Sequence, residues 1–425
     1  MKPSIGLGAT GMAACAAALL LAACGPKDNT SGASGSSKAS PAGDVILIGH
    51  VGPLSGGDAH LGKDNENGAR LAADEINAAG GVKLGDKTYK VEILGEDDKA
   101  DPKEATLAAQ KLVDAGVVGV VGHLNSGCSI PASKIYSDAS VVQISPSSTA
   151  VKYTEQGFKT TFRVVANDRQ QGTAMADYAM GPMKAKKVAI VDDRTAYGQG
   201  LVDVVEGVVK AHGVNVVARE FTDNKASDFN AILTKIRATQ PDVIIYGGMD
   251  DTAGPMAKQV HQLGIKAPML SGDGSCSPEF INLAGDGAGI LTCSRAGEAV
   301  ERLPKGTQFI AKYKAKFGSD VQIYAPYAYD GVYVIVDAIR RAGSLDRAAI
   351  AQAVAAADYD GLTGHISFDA KGDIKNGAIS LFHVEDGKLN YLLTTREPPA
   401  RTGPALWNAS RCAAPAWTIS PASAA

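Results

Sequence analysis

From residue 45 onward, short unbroken apolar runs alternate with stretches whose apolar positions recur every three or four residues. The runs at 45–51, 90–94, 117–121, 141–145, 187–191, 214–220, 242–246, 267–271 and 289–293 have the length and apolar density of buried strands. Between them, Ala105, Ala108, Ala109 and Leu112 make one helical stripe, and Ala69, Ala72, Ala73 and Ile76 repeat it ahead of Gly80-Gly81. The first of these helices is written with its boundaries. Asp101 stands as N-cap, Pro102 suits the first turn, Glu104 completes a capping box and Gly116 follows the end. Further helical patterns at 304–318, 324–342 and 346–356 lead to β-like runs at 364–368, 379–384 and 389–393. A Glu385-Asp386-Gly387-Lys388 turn joins the last two.

This alternation predicts an α/β fold of doubly wound parallel sheets covered by helices on both faces. The series 45–167 and 168–296 are each long enough for one such sheet. The economical path builds one lobe, crosses to a second and returns. It assigns 45–167 plus 297–365 to the first lobe and 168–296 plus 366–395 to the second, with three hinge crossovers near 167, 296 and 365.

Composition narrows the class. The 425 residues are 45% hydrophobic and 20% charged, with a formal net charge of −3, which argues against both a disordered chain and a nucleic-acid binder. Residues 1–23 hold a single charge, Lys2, before an Ala/Leu-rich run that ends Leu21-Ala22-Ala23-Cys24-Gly25. This reads as an export signal. Leu-Ala-Ala-Cys resembles the bacterial lipobox, which would make Cys24 the lipidated first residue of the exported protein. Gly6-Leu7-Gly8-Ala9-Thr10-Gly11 matches a dinucleotide-binding fingerprint, but inside a leader it carries no weight. Residues 24–44, polar and Gly/Ser-rich, read as a flexible tether. Residues 396–425 read as a disordered tail; the alternative is that Trp407 and Trp417 pack on the body.

The specific signal lies in short motifs at kept spacings. They include Ile48-Gly49-His50-Val51-Gly52-Pro53-Leu54-Ser55-Gly56, Asn67-Gly68-Ala69-Arg70-Leu71-Ala72, Asp97-Asp98, Asp101-Pro102 and Gly122-His123-Leu124. Ile144-Ser145-Pro146, Ala196-Tyr197-Gly198-Gln199-Gly200 and Phe368-Asp369-Ala370-Lys371-Gly372-Asp373 continue the series. Over about 45–395 the chain resembles the leucine/isoleucine/valine-binding protein family, the type I periplasmic receptors that feed ABC transporters.

The resemblance implies a site. Ser126 opens a helix directly after a strand, where amides and the helix dipole favour an anion. By similarity its hydroxyl and amide bind the ligand carboxylate and Thr149 supplies a second donor. Ser147 offers its carbonyl to the ligand ammonium, and Asp273 pairs with that ammonium from the other lobe. Tyr197 is a wall aromatic, and Tyr324 falls where another is expected. Leu61 and Met249 stand where well-known members carry aromatics, so the pocket wall is softer and differently shaped. Asp168, in Ala166-Asn167-Asp168, reads as a helix cap or hinge residue, with ligand contact the alternative. Ser126 and Thr149 also have a plain reading as helix-end caps, and Asp273 as a turn residue.

The disulfide positions of the family correspond to Ala100 and Asn125, so that bridge is absent. Cys128, Cys276, Cys293 and Cys412 allow three pairings if all are bridged, and Cys276–Cys293 within one lobe is favoured. No G-x-S-x-G or H-E-x-x-H motif and no zinc-like cysteine spacing occurs, so neither an enzyme, a cofactor nor a metal is expected. The expected molecule is a monomeric lipoprotein facing the periplasm or cell exterior. It would bind a branched-chain or related amino acid and dock on permease subunits, with sensing by the same lobes the alternative and an α/β hydrolase more remote.

Overall fold

The computed structural model describes residues 44–396. The leader, Cys24, the tether, Cys412 and both tryptophans lie outside the described residues.

Six strands form the first sheet: β1 (Val45–Gly52), β2 (Val82–Leu84), β3 (Lys87–Asp97), β4 (Gly119–Gly122), β5 (Val142–Ser145) and β6 (Thr161–Arg163). Their order is β2-β3-β1-β4-β5-β6, parallel except for the β2–β3 hairpin. The second sheet takes β7 (Lys187–Asp192), β8 (Asn215–Phe221), β9 (Val243–Gly247), β10 (Met269–Ser271) and β11 (Leu291–Arg295) in parallel. A two-stranded ribbon, β12 (Tyr359–Asp360) with β13 (His365–Ile366), precedes β14 (Ala378–Glu385) and β15 (Lys388–Arg396). These last two join the second sheet as an antiparallel edge, giving β15-β14-β11-β10-β9-β7-β8. The chain therefore crosses between sheets three times: after β6, after β11 and after β13.

The helical stripes face inward as the pattern demands. Ala69, Ala72, Ala73 and Ile76 of helix Ala59–Ala78 are buried in the first core beside Ile46, Ile48 and Ile335. Burial of such side chains contributes about 25 cal/mol per Å² of apolar area removed from water. Asp101 caps helix Pro102–Ala115 through the Lys103 and Glu104 amides, and Gly116 ends it at φ 86°. Its capping box is not completed, however. The Asp101 amide already donates to the Asp98 carbonyl at 2.8 Å, and Glu104 reaches Lys99 instead.

Three strands escaped the sequence pattern. Segments of two or three residues, such as 82–84, 161–163 and 359–360, are too short to display a period. The run at 364–368 keeps only two residues in the ribbon, with Phe368 in an isolated bridge to Ile374, because Asp369 turns the chain there, accepting from the Lys371, Gly372 and Asp373 amides. Gly372, at φ 98°, admits no side chain: a Cβ would sit 2.0 Å from the Thr161 carbonyl oxygen. In the second lobe Cys276 and Cys293 are joined by a disulfide. Among the described residues no helix is long and apolar enough to cross a membrane.

Candidate functional site

In each sheet the strand order reverses beside the first strand, between β1 and β4 and between β7 and β9. Loops leaving the carboxyl ends of parallel strands at such a point form a natural crevice. Of the site residues expected from sequence, Leu61, Ser126, Tyr197 and Met249 follow the strands at these points. Ser147, Thr149, Asp168 and Asp273 follow the neighbouring strands β5, β6 and β10, and Tyr324 lies on the segment that returns from the second sheet to the first.

The first-lobe side is a donor-bearing loop held by its own hydrogen bonds. Ser145, ending β5, bonds the His123 carbonyl and accepts from the Ser147 and Ser148 amides. Ser147 bonds the Leu124 carbonyl. The guanidinium of buried Arg163 donates to the Ser148 and Ala150 carbonyls at 2.7 and 2.9 Å and pairs with Asp373 at 2.6 Å. Ser126 is buried and its hydroxyl oxygen accepts from the Ala150 amide, which leaves the hydroxyl proton to be donated elsewhere. The Ser126 and Gly127 amides begin helix Ser126–Asp138 and have no carbonyl partner within it. Thr149 is fully buried, yet its hydroxyl makes no hydrogen bond.

The second-lobe side is rich in acceptors. Asp273 is buried after β10, with Gly272 and Gly274 flanking it so that Tyr197 can lie against the loop; a Cβ on Gly272 would meet the Tyr197 oxygen at 2.5 Å. Tyr197 donates to one carboxylate oxygen at 2.9 Å and Tyr324, from the first lobe, to the other at 2.7 Å. Burial raises the Asp273 pKa against the pull of these hydroxyls. Tyr324 is itself fixed by Asp64, which collects the backbone amides of residues 322 to 325. Leu61, Leu124, Tyr197, Met249, Ile323 and Tyr324 belong to one buried apolar cluster, which supplies a wall beside the carboxylate.

Asp168, expected as a helix cap or a hinge residue, is not the cap. Asn167 caps helix Asp168–Met180, in a capping box with Gln170, because its side chain reaches the Arg169 and Gln170 amides. Asp168 is thereby released to the interior, where both carboxylate oxygens are unpartnered. Burial lifts its pKa to about 8, opposed by the neighbouring Thr149 hydroxyl, with the Asp273 charge adding to the rise. Its backbone amide donates to the Thr149 carbonyl at 2.8 Å, tying the two sides at the crossover. Each unpartnered buried polar group costs about 1–3 kcal/mol, so Thr149 and Asp168 are expensive unless something polar meets them.

Two residues were missed by sequence reasoning. Asn65, on helix Ala59–Ala78, faces Ser147, and its amide oxygen is unpartnered. Gln171 is fully buried with neither amide atom bonded, one turn after Asp168. The i, i+3 spacing from Asp168 was the available signal. At the rim, His60 of the first lobe meets Asp250 of the second at 2.8 Å, and Asn125 donates to Asp58. No group of His, Cys, Asp and Glu among the described residues is arranged to hold a metal ion.

The sequence pattern of a known family, described as periplasmic binding protein, matches residues 45–388. The chain belongs to the periplasmic binding protein family. Its curated relatives include an amino acid binding protein of Pseudomonas aeruginosa, 35% identical over 82% of this chain and 92% of that protein. A Leu/Ile/Val-binding protein homolog of Brucella abortus is 34% identical over 82% of this chain and 93% of its own length. Among solved structures, the LivJ substrate-binding protein of Streptococcus pneumoniae in complex with isoleucine superposes with a TM-score of 0.77. It is 29% identical and covers 83% of this chain and 100% of that one. These relatives are substrate-binding proteins rather than enzymes. The periplasmic binding protein fold thus accounts for the two α/β sheets and for the site residues beside their strand ends.

Proposed function

We propose that this periplasmic binding protein takes a free α-amino acid, branched-chain or of similar aliphatic shape, between its two lobes. The observation that carries the reading is the pairing of opposite chemistries across one crevice. Free donors at Ser126 and Thr149 meet buried acceptors at Asp168 and Asp273. The ligand carboxylate lies on Ser126 and Thr149, with the helix N-terminus favouring its charge. The ammonium lies between the Ser147 carbonyl and Asp273. Leu61, Met249, Tyr197 and Tyr324 enclose the side chain. The names of the relatives, an amino acid binding protein and Leu/Ile/Val-binding homologs, support the same ligand class.

Closure turns on crossovers near 167, 296 and 365, and contacts from the second lobe give the ligand its preference for the closed form. Cys24 carries a lipid anchor, residues 24–44 tether the body, and the closed form delivers its ligand to a membrane permease. A thermal-shift panel of free amino acids tests the site: aliphatic members raise the melting temperature, since a ligand of the folded state alone stabilises it. No shift with any amino acid would remove the reading. Cys24→Ser should move the protein from the membrane to the soluble fraction, and retention there would refute the anchor.

A further inference from the structure

Helix Asp168–Met180 places Asp168 and Gln171 on one face. The neighbouring Gly172 packs that helix against Val204 of helix Ala196–Ala211, where a Cβ would meet the Val204 Cγ1 at 2.8 Å. Met175, a turn further on, is ordinary core. Gln171 is not ordinary core: it is 0% exposed, and both its amide nitrogen and its amide oxygen lack partners. A side chain that only filled space there would be more favourable as leucine, because a buried amide forfeits its hydrogen bonds with water. Its surroundings are polar on two sides. Asp168 lies a turn away with two free oxygens, and the Gln171 side chain is close enough to Asp273 to favour that group's ionised form. The two Asp273 oxygens already accept tyrosine hydroxyls.

We propose that Gln171 is a ligand-contacting specificity residue: with Asp168 it forms an acceptor shelf beside Asp273 that demands a primary ammonium. The inference rests on the amino-acid reading above. A primary ammonium brings three N–H donors. The Ser147 carbonyl takes one donor, and the shelf supplies free acceptors for the others at the Asp168 oxygens and the Gln171 oxygen, beside the Asp273 charge. An N-methylated ammonium brings one donor fewer and puts a methyl group against an unpaired oxygen. Such a site rejects the analogue more strongly than an apolar pocket would.

The test compares wild type with Gln171→Leu in the full chain, using calorimetry with isoleucine and N-methylisoleucine and the melting temperature of each unliganded protein. Wild type should prefer isoleucine by at least about tenfold. Gln171→Leu should bind isoleucine about tenfold more weakly and discriminate by less than about threefold, with an unliganded melting temperature equal to or above that of wild type. A melting temperature that falls, or affinity and discrimination that stay at wild-type values, would overturn the proposal. If Gln171→Leu fails to fold, that result also counts against it, and Gln171→Met measured in the same way must show the predicted loss for the proposal to stand. Wild type that binds no free amino acid overturns this inference together with the reading beneath it. Binding that the variant leaves untouched overturns this inference alone.

Discussion

The two sides of the crevice are built on opposite principles. On the first-lobe side Ser145, Ser147, Ser148 and Arg163 close a hydrogen-bonded network beside the unpartnered Thr149 hydroxyl. On the second-lobe side Asp168 and Gln171 are buried with no partner at hydrogen-bond distance. The first arrangement fixes geometry before a ligand arrives, which reduces the ordering cost of binding. The second stores unfavourable desolvation that a matching ligand relieves, a common compromise between stability and function. In the reading proposed above, one side aims the ligand and the other selects it.

The largest expected effect breaks the aiming side. Arg163→Met leaves Asp373 only its bonds from Thr154 and Asn167 and frees the Ser148 and Ala150 carbonyls, so it should cost about 3 kcal/mol of stability, read as a lower urea midpoint. An unchanged midpoint would show the network to be ornamental. Next, Thr149→Ala removes a donor without touching Arg163 and should weaken amino-acid binding more than tenfold by calorimetry, leaving stability nearly intact. Equal affinity would count against the donor side.

The smallest effect sharpens the selecting side through pH. Folding lifts Asp168 from an ordinary carboxylate value of about 3.9 to about 8, so the folded chain holds its proton more tightly than the unfolded one. Its contribution to stability is therefore full below about pH 4 and declines as pH rises towards 8. Asp58, raised to about 7, and Asp193 and Asp251, raised to about 6, act in the same direction. The unliganded protein should lose stability between pH 5.5 and 8, and Asp168→Asn should flatten the decline. A variant with the wild-type slope would mean that Asp168 stays ionised.

The same contrast explains what the sequence could tell. Strand runs and helical stripes were legible because burial of one face imposes a period, and Asp101 and Gly116 because caps obey local chemistry. Ser126 and Thr149 were singled out by the resemblance to a known family, since their plain reading from the residues alone was as helix-end caps. Gln171 was opaque for the opposite reason: in Arg169-Gln170-Gln171 it looks like a solvated helix face, and only the packing of Gly172 against Val204 turns it inward. Of the readings open for Asp168, the helix cap fails because Asn167, one residue earlier, does that work. Two-residue strands carry no pattern at all.

The central claim is that one ligand is gripped through its carboxylate by the first lobe and through its ammonium by the second. Calorimetry of the wild-type protein with isoleucine, its 2-hydroxy-acid analogue and its decarboxylated amine tests this most directly. The account predicts binding of isoleucine and a loss of about a hundredfold or more for each truncated analogue. A hydroxy acid or amine that binds as tightly as isoleucine would contradict it.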